Sequence, residues 1–599
     1  MIPRKFRTNP QGRNWTEMLL PTAHEANPAL LILECGMAAM AAALSFAFPR
    51  LGGKSFARAE GLFSRLAQRQ GLVVAAVGFS VIVLRLAILP LFPVPLPFVP
   101  DDFSFLLACD TFAHGHLANP TPAMWTHFES IHITMQPTYQ SMYFPGQGLL
   151  LAASKVILGN PWIGLLIVSA LMCAALCWML QAWLPPSWAL LGGAIAVLRL
   201  GTFSYWTNTY HAGGSLGALG GALILGGLPR LMRTTRVRYA ALIGIGIAML
   251  VLTRPYEGIL MCLPVGFVLA RWMMKGKNRP SPAAMARLAA VPLLFGIAAV
   301  AWMGYYDYRA FGNPLTPPYT VNRNTYAIAP YYVWQHARPE PHYRYKEMQV
   351  FYHKGEADFY EGYHSFAGFL KQTLVKIGFM FLFFSGFALL PPLLMVRHIF
   401  LDRRIRFLLI CVLVLAAGMA IEIYLLPHYV APFTGTFYVI GLQMMRHLRH
   451  WKPEKKPVGL TLMRLTVTIC VLMAGLRIFA GPLHIAQSEW PPSNWNFNWF
   501  GPEHFGTERA QMETWLDHQP GQQLVIVRYW GNHDPFDEWV YNAADIDRSQ
   551  VIWARDGDPA GNPELIRYYK DRTVWLVEPD ATPARIQPYP KETAGGSGK

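Results

Sequence analysis

The sequence predicts a polytopic all-α membrane protein that carries a small α/β domain at its C-terminal end. Of the 599 residues, 53% are hydrophobic and only 14% are charged, whereas about 25% of the residues of a typical soluble domain are charged. Long apolar runs alternate with short basic clusters as far as residue 483, and shorter apolar runs follow. We therefore expect a transmembrane domain at 1–483 and an extracytoplasmic α/β domain at 484–599.

Apolar runs long enough to cross a bilayer define the predicted transmembrane helices, because about 20 apolar residues suffice for one crossing. The first strong run covers 71–98, and the later ones cover 162–183, 187–204, 212–229, 239–255, 257–273, 286–306, 373–396, 407–426, 429–445 and 462–482. The total is about eleven spans. A twelfth at 29–48 stays open, because this run contains Glu34 and its crossing would place the basic N-terminus outside.

The basic residues orient these spans. They gather between the apolar runs, at 54–69, 230–238, 271–279, 397–406 and 446–456. Such clusters remain on the cytoplasmic side of a membrane, and all five fit one alternating topology. The net charge of +16 is thereby explained without nucleic acid, and we expect no nucleic-acid partner.

This topology predicts that the polar segments lie together on the extracytoplasmic face. They comprise a first loop at 99–161, a second loop at 307–372 and the C-terminal domain. The apolar run 145–158 inside the first loop is too short to span comfortably, and counting it as a span would invert every later basic cluster. We expect it to form a helix that lies along the outer membrane surface.

The C-terminal segment has the pattern of a small α/β fold. Short apolar runs at 524–530, 551–556 and 574–579 are typical of buried strands, and a helical pattern separates the last two. We expect a parallel sheet flanked by helices. The segment contains no glycine-rich phosphate loop, which argues against nucleotide binding.

The adjacent acids Asp101 and Asp102 directly follow the first strong apolar run, so they lie at the predicted membrane boundary. One interpretation is an acidic cap for a helix that begins near Phe103. The other is a general base for a substrate hydroxyl, a role that contributes about 10²–10⁴ in rate. Two close carboxylates raise one another's pKa, and a raised pKa would suit a base that works near neutral pH.

Two short motifs resemble those of a known group of enzymes. The acidic pair begins the sequence DDFSF at 101–105, with Gly115 and Leu117 further along, and a later turn reads PHYVAP at 427–432. A membrane span, an acidic pair that opens a long external loop and an amphipathic helix that begins near a proline resemble the GT-C membrane glycosyltransferases. Within that superfamily, the chain is most similar to the protein O-mannosyltransferase and aminoarabinose-transferase group.

This resemblance implies a GT-C-like fold and a specific reaction. It implies transfer of a hexose or pentose from a polyprenyl-phosphate carrier to a hydroxyl of a lipid, polysaccharide or protein acceptor. The transfer would occur with inversion, on the extracytoplasmic face of a bacterial cytoplasmic (inner) membrane, as part of cell-envelope glycosylation. Asp101 would be the general base, and Asp102 would orient the acceptor, the loop or a metal ion.

The chain departs from the pattern of this group at two positions. Asp102 stands where the group usually has glutamate, and Phe144 stands where a lysine often precedes the proline of the interfacial helix. The leaving phosphate nevertheless needs a fixed cation or hydrogen-bond donors. Another cation of the chain must therefore serve it.

Arg254 is the candidate for that cation. It lies in the sequence VLTRPYEG, where Pro255 interrupts the outer end of an apolar run. Irregular backbone at membrane depth is tolerated where it faces protein or a polar cavity, and an arginine there is a functional candidate, with Tyr256 and Glu257 beside it. The alternative is an Arg254–Glu257 pair that only stabilises the helix break.

Three residues at the mouths of other spans could complete the donor site: His211, His428 and Tyr429. Each histidine could equally be a polar cap at the membrane interface. The first loop also carries potential metal ligands, His114, His116, His127, Glu129 and His132. Their spacing matches no standard metal motif, so we assign neither a metal ligand nor a cofactor, although a divalent metal remains an alternative.

Two other functions compete with this interpretation. An O-antigen ligase or polymerase-like enzyme should carry its key arginines and histidine in a large late loop and needs no early acidic pair. A lipid-linked sugar flippase or transporter should show internal repeats and charges at the bilayer midplane. This chain shows no obvious repeat and concentrates its polar residues outside the spans, which favours the glycosyltransferase.

Overall fold

A computed structural model describes residues 28–211, 213–275, 279–480, 483, 506–557 and 561–590. Helices account for the membrane domain, as its apolar runs predict. They are α1 Pro28–Ala47, α2 Gly53–Ala67, α3 Gln70–Ala87, α4 Pro100–Ala113, α5 Pro145–Leu158, α6 Pro161–Trp183, α7 Pro186–Ala196, α8 Tyr205–Asn208, α9 Gly214–Thr234, α10 Val237–Thr253, α11 Pro255–Lys275, α12 Pro282–Phe311, α13 Pro318–Tyr326, α14 Lys346–Gln349, α15 Asp358–Glu361, α16 Phe366–Phe384, α17 Val396–Leu401, α18 Arg406–Ile421, α19 Thr434–Arg449 and α20 Val458–Phe479.

Eight of the described helices are long and apolar enough to cross a membrane, which confirms a multi-pass membrane protein. The number becomes nine if the bent pair Pro391–Leu401 and Arg406–Ile421 counts as one span. The sequence predicts about eleven spans, or twelve with 29–48, which is α1. Compared with those twelve, the nine lack three helices that are too short. α7 has 11 residues, α10 has 17 and α19 has 16.

The predicted span 373–396 is also shifted along the chain. Its helix, α16, begins at Phe366 and ends at Phe384. Gly386 follows with a φ of +61°, in the left-handed region that favours glycine. Pro391 and Pro392 then begin a separate 3₁₀ helix, Pro391–Met395, rather than continuing α16. Sequence hydropathy could not locate this end, because the apolar residues continue through the break.

Helix α1, whose crossing was open because it contains Glu34, is one of the candidate spans. Glu34 is buried against the bundle, and its Oε1 lies 3.6 Å from the guanidinium of Arg199. Arg199 lies on a π-helical turn at Val197–Thr202 that continues α7. Charged groups within a bilayer are costly unless they are paired, so this pair explains how α1 accommodates a glutamate.

Small residues bring the helix α9 close to the turn that precedes α19. A Cβ atom added to Gly221 of α9 would lie 1.8 Å from the carbonyl oxygen of Pro432. No side chain fits at that distance, and close approach through small residues is typical of helix packing in membranes. The contact fixes the position of the turn 427–432, which carries His428 and Tyr429.

The first loop folds over the mouth of the bundle. Helix α4 opens it, and three short antiparallel strands follow in the order β1-β3-β2: β1 Asn119–Pro120, β2 Ile133–Thr134 and β3 Thr138–Ser141. Helix α5 closes the loop with 14 residues, as predicted from its length. Its location at the membrane surface remains a prediction.

The described part of the C-terminal segment is an α/β fold, as expected. It contains α21 Thr507–Asp517, α22 Asn562–Tyr568 and the strands β4 Gln523–Val527, β5 Val551–Arg555, β6 Thr573–Glu578 and β7 Arg585–Pro588. The strand order is β5-β4-β6-β7, with β5 and β6 parallel to β4. The edge strand β7 is antiparallel, which the sequence pattern did not predict.

The C-terminal sheet shares its core with the first loop. Leu107, Phe128 and Tyr139 of the loop pack in one buried cluster with Leu524 and Ile552 of the sheet. Polar contacts reinforce this packing across the same surface. Ser130 Oγ donates to the carbonyl oxygen of Val540 at 2.5 Å, Tyr139 Oη donates to that of Asn542 at 2.9 Å, and Asp110 Oδ2 accepts the N–H of Ala544 at 2.8 Å.

Candidate active site

The start of helix α4 presents the two adjacent acids to different surroundings. Val99 is extended and Pro100 begins the helix, so both acids lie in its first turn. Consecutive helical residues point about 100° apart. Asp101 therefore faces a cavity, whereas the side chain of Asp102 is fully buried.

Asp101 is held by a tyrosine and a histidine from the same loop. Tyr143 Oη donates a short hydrogen bond to Asp101 Oδ1, and His132 Nδ1 lies 3.3 Å from Asp101 Oδ2. Tyr143 Oη also lies 3.0 Å from His132 Nδ1. The three side chains therefore form one polar cluster in which the carboxylate is the acceptor.

The pKa of Asp101 lies below its ordinary value. Burial opposes ionisation, but the neighbouring charge and hydrogen bond of His132 outweigh it, with further contributions from His211 and Tyr143. The expectation of a raised pKa from the paired carboxylates is thus wrong. The physical reason is that Asp102 faces away, so Asp101 interacts with histidines rather than with a second acid.

Asp102 holds the turn that precedes helix α9 in place through hydrogen bonds. Its Oδ1 accepts the N–H groups of Tyr210 at 2.9 Å and His211 at 3.0 Å, and His211 Nδ1 lies 3.0 Å from the same oxygen. Its Oδ2 lies 3.4 Å from the backbone nitrogen of Phe98. Both oxygens are therefore engaged. Burial lowers the pKa of His211, but the ionised Asp102 reverses the effect and the net shift is upward.

His428 is held in the opposite protonation state. The backbone N–H of His428 donates to Tyr205 Oη at 3.1 Å, and the ring Nδ1 of His428 lies 2.6 Å from the same hydroxyl oxygen. The Tyr205 hydroxyl therefore contacts both the backbone and the ring of His428. Burial, together with the nearby Arg254 and His211, holds the pKa of His428 well below its ordinary value.

Arg254 occupies the break between helices α10 and α11. Its backbone leaves the helical region, with φ −142° and ψ 66°, and Pro255 begins the next helix. The guanidinium lies 4.4 Å from the centre of the Tyr429 ring, and Nη1 lies 3.9 Å from Glu257 Oε1. The Arg254–Glu257 pair that was considered therefore exists, but its separation exceeds hydrogen-bonding distance.

A cavity of about 110 Å³ opens in front of Asp101. The first loop, the second loop, the segment 424–429 and the C-terminal segment supply its walls. The walls consist mainly of aromatic and charged side chains. The lining residues are Asp101, His132, Met142, Tyr143, Tyr319, Arg323, Tyr331, Phe351, Glu356, Phe359, Tyr424, Leu425, Leu426, Tyr429 and Phe536. We refer to it as the Asp101 cavity.

Of the residues predicted for the site, Asp101 and Tyr429 line this cavity. Asp102, His211, His428 and Arg254 lie behind its wall in the contacts described above, and Glu257 is buried beside Arg254. Tyr256 points elsewhere. Its hydroxyl donates to the carbonyl oxygen of Gly418 at 2.9 Å, and its ring packs on that of Tyr332.

Sequence reasoning missed the second loop's contribution to the cavity. Arg323 Nη1 donates to both oxygens of Glu356, at 2.7 Å and 2.6 Å, and the guanidinium lies 5.0 Å from the centre of the Tyr331 ring. Burial opposes ionisation of Arg323, but Glu356 reverses this and its pKa is raised. No motif signals these residues, because the short helix α13 and tertiary packing bring them together.

The sequence predicts His132 only as a potential metal ligand, whereas the structure places it beside Asp101. Its φ of +63° is rare for a residue other than glycine, and such strain costs about 1–3 kcal/mol. Its carbonyl accepts from Ser104 Oγ at 2.7 Å and from the N–H of Met142 at 3.2 Å, which maintains the conformation.

The histidines of the first loop do not gather around one point. Over the described ranges, no three His, Cys, Asp or Glu side chains are placed to hold a metal ion. Glu129 is paired with Arg344, with Oε2 and Nη1 3.2 Å apart. His114 is largely exposed and its Nδ1 lies 2.8 Å from the carbonyl oxygen of Asp110.

Comparison with known proteins gave matches among solved structures. No family model and no curated protein sequence matches the chain. The Archaeoglobus fulgidus oligosaccharyltransferase tethered with an acceptor peptide matches with a TM-score of 0.42 and 11% identity, over 85% of this chain and 68% of that one. The archaeal oligosaccharyltransferase AglB from the same organism, in complex with an inhibitory peptide and a dolichol-phosphate, gives 0.42 and 9%, over 86% and 69%.

ArnT from Cupriavidus metallidurans in the apo state matches with a TM-score of 0.43 and 12% identity, over 86% of this chain and 93% of that one. Likeness at this level assigns neither an activity nor a site residue to the chain. The function therefore rests on the chain's own residues and contacts.

Proposed function

We propose that the protein is a membrane glycosyltransferase that transfers a sugar from a polyprenyl-phosphate carrier to an acceptor hydroxyl. The observation that carries the proposal is an ionised carboxylate, Asp101, on the wall of a cavity at the mouth of an apolar helical bundle. Lipid-linked donors reach such a site through the bilayer. The motifs DDFSF and PHYVAP, through which the chain resembles GT-C enzymes, both contribute to this cavity.

Asp101 acts as the general base in this proposal. As the acceptor oxygen forms its bond to the anomeric carbon, its proton passes to the Asp101 carboxylate. The bond between that carbon and the phosphate oxygen breaks, and the electron pair leaves on the phosphate. One base and one in-line displacement give inversion at the anomeric carbon. The lowered pKa of Asp101 means that proton transfer is favoured late, when the attacking oxygen has become acidic.

Tyr143 and His132 position the base. Their contacts reach both carboxylate oxygens, so they restrict the orientation in which Asp101 meets a hydroxyl. Precise orientation of a base and a nucleophile contributes substantially to rate. Asp102 acts indirectly, through the turn 205–211 that it fastens.

Arg254 serves the leaving phosphate in this proposal. Among the arginines near the cavity, Arg323 is already neutralised by two hydrogen bonds to Glu356. The Arg254 guanidinium lies 4.4 Å from the centre of the Tyr429 ring, and Tyr429 lines the Asp101 cavity. A phosphate beside that ring would therefore meet a fixed positive charge. His428, whose ring centre lies 4.8 Å from that of Tyr429, supplies a second polar group for the phosphate in this proposal.

The proposal places the reaction on the extracytoplasmic face of a bacterial inner membrane. Five basic clusters support this orientation. Nucleotide sugars do not occur on that face, which is consistent with a lipid-linked donor. The acceptor would be a lipid, a polysaccharide or a protein of the cell envelope.

Mass spectrometry of envelope glycans tests the proposal. Cells with the protein should carry a hexose or pentose on one envelope component, and cells without it should lack that sugar and accumulate its polyprenyl-phosphate form. An Asp101→Asn chain should reproduce the loss at equal membrane abundance. Asp545→Asn, which changes an exposed carboxylate of the C-terminal domain, is the matched control. Transport of the lipid-linked sugar without cleavage of its phosphate bond would overturn the proposal.

A further inference from the structure

A second cavity, of about 440 Å³, lies at the far end of helix α19 from the Asp101 cavity. Helix α19 begins a few residues after Tyr429 and has 16 residues, so its ends are about 24 Å apart. The cavity is lined by His398, Leu401, Asp402, Arg403, Arg404, Gln443, Arg446, His447 and His450. We refer to it as the basic cavity.

Three arginines and three histidines line the basic cavity, together with a single aspartate. The aspartate is committed to the protein. Asp402 Oδ1 accepts the N–H of Arg404 at 2.9 Å, and its Oδ2 accepts from Gln443 Nε2 at 2.5 Å. His447 Nε2 lies 3.6 Å from the same Oδ2. Asp402 therefore orders the wall between α17 and α19 rather than neutralising the whole cavity.

The three arginines of the basic cavity differ in whether their guanidinium groups already contact other side chains of the protein. Arg446 Nη1 donates to Gln443 Oε1 at 2.7 Å, which fixes its guanidinium against α19. Arg403 and Arg404 are exposed, and within the described ranges neither side chain takes part in an ion pair. A ligand with several anionic oxygens would supply the partners that the protein does not, because arginine binds phosphate through paired hydrogen bonds.

The surface beside the basic cavity is apolar. Leu401, which lines the cavity, is 68% exposed, and the adjacent Phe400 is 67% exposed. Large apolar side chains with such exposure on a membrane protein face acyl chains. A cavity of arginines that borders such a surface has the composition of a lipid headgroup site.

We propose that the basic cavity binds the phosphate headgroup of an anionic phospholipid whose acyl chains lie against Phe400 and Leu401. The phosphate diester accepts hydrogen bonds from Arg403, Arg404 and Arg446. The bordering apolar surface favours a lipid over free phosphate. The site is independent of the glycosyl-transfer proposal, since it shares no residue with the Asp101 cavity.

Lipid titration of the full-length protein in a neutral detergent tests the proposal. Native mass spectrometry would measure binding of phosphatidylglycerol, phosphatidylcholine and inorganic phosphate in separate titrations. Phosphatidylglycerol should bind at least about tenfold more tightly than either of the others, because its net negative charge is attracted by the arginines. Phosphatidylcholine carries no net charge, and inorganic phosphate has no acyl chains. Inorganic phosphate that binds as tightly as the lipid would overturn the assignment to a lipid.

Variants locate the site. The double variant Arg403→Gln, Arg404→Gln should lose about tenfold or more in phosphatidylglycerol affinity, and Arg404→Lys should keep part of it. Arg236→Gln changes an exposed arginine in another of the predicted cytoplasmic clusters and is the matched control. All of these side chains are exposed, so the fold should be retained, and thermal unfolding without lipid would verify this. Equal loss in the control, or unchanged affinity in the double variant, would overturn the proposal.

Discussion

Asp102 Oδ1 lies 3.0 Å from both the backbone nitrogen and the ring Nδ1 of His211. One carboxylate oxygen therefore fixes the position of the residue and the orientation of its ring. The adjacent Asp101 makes no contact of this kind and faces the cavity instead. The two acids that look equivalent in sequence thus have separate tasks, one structural and one proposed to be chemical.

Substitution of each acid should separate these tasks. Asp101→Asn should lower turnover by about 10²-fold or more, with a normal thermal unfolding temperature, because asparagine retains the hydrogen bond to Tyr143. Asp102→Asn should lower the unfolding temperature as well, because it leaves the buried His211 without its counter-charge. Equal unfolding temperatures for the two variants, measured in detergent, would contradict the structural task of Asp102.

The Asp102–His211 pair should also make stability depend on pH. The pKa of His211 is raised in the folded protein. The folded protein therefore binds a proton at this residue more tightly than the unfolded chain does. The contribution is fully present below about pH 6.5, the ordinary pKa of histidine, and is lost as the pH rises through the folded value. Thermal unfolding between pH 5 and 9 should show a fall that His211→Gln abolishes, and an identical fall in that variant would contradict the prediction.

Arg254 provides a prediction about donor binding. Arg254→Ala should weaken binding of a polyprenyl-phosphate sugar by about 1.5–3 kcal/mol, the contribution of a charge-assisted hydrogen bond. Arg254→Lys should recover only part of it, because the paired guanidinium donors are lost. Arg309→Ala, at an exposed arginine of α12, is the control for altered charge. Unchanged donor affinity in Arg254→Ala would contradict a role in donor binding and favour the alternative in which its pair with Glu257 only stabilises the helix break.

The predicted orientation can be measured directly. Cysteine placed at Gln550 should react with an impermeant maleimide in intact cells, and cysteine placed at Thr235 should react only after the cells are permeabilised. Both positions are exposed, so accessibility does not bias the comparison. The unsubstituted chain, with its seven cysteines, sets the background. The reverse labelling pattern would place the Asp101 cavity on the cytoplasmic side.

Periodicity and hydropathy predicted the parts of the molecule that depend on local sequence. The helical bundle, the strands β4, β5 and β6 and the helix α5 follow from apolar runs of the appropriate length. The sequence pattern could not show which of the two adjacent acids faces the cavity, because the direction of each side chain depends on where helix α4 begins. The pKa of Asp101 depends in turn on His132, which lies 31 residues away and reaches it through a left-handed backbone conformation.

The cavity wall was harder to predict than the bundle. Tyr319, Arg323 and Glu356 lie in the second loop, where short helices are joined by irregular segments with no repeating pattern. Their positions follow from burial and ion pairing after folding. Phe536 was equally difficult to predict, because it reaches the cavity by packing on a cluster from the first and second loops that includes Ile131 and Phe351.

The last prediction concerns that contribution of the C-terminal domain. Phe536 lines the Asp101 cavity and packs edge-on against Phe351, with ring centres 5.5 Å apart. In the proposed mechanism the lipid-linked donor enters from the membrane-spanning helices, whereas Phe536 belongs to the C-terminal segment. We therefore expect its ring to contact the acceptor. Burial of such a side chain against a ligand contributes about 1.5–3 kcal/mol.

Phe536→Ala should therefore raise the KM for the acceptor about tenfold or more and leave the Kd of the donor unchanged. Trp530→Ala is the matched control, because Trp530 lies on the same segment, is 41% exposed and does not line the cavity. Its backbone N–H, which donates to Asp580 at 2.7 Å, is retained in the alanine variant. Steady-state kinetics with both variants test this prediction. A change in donor affinity in Phe536→Ala, or an equal rise in the acceptor KM in Trp530→Ala, would contradict it. Either result would show that the segment affects the cavity through its fold rather than through contact with the acceptor.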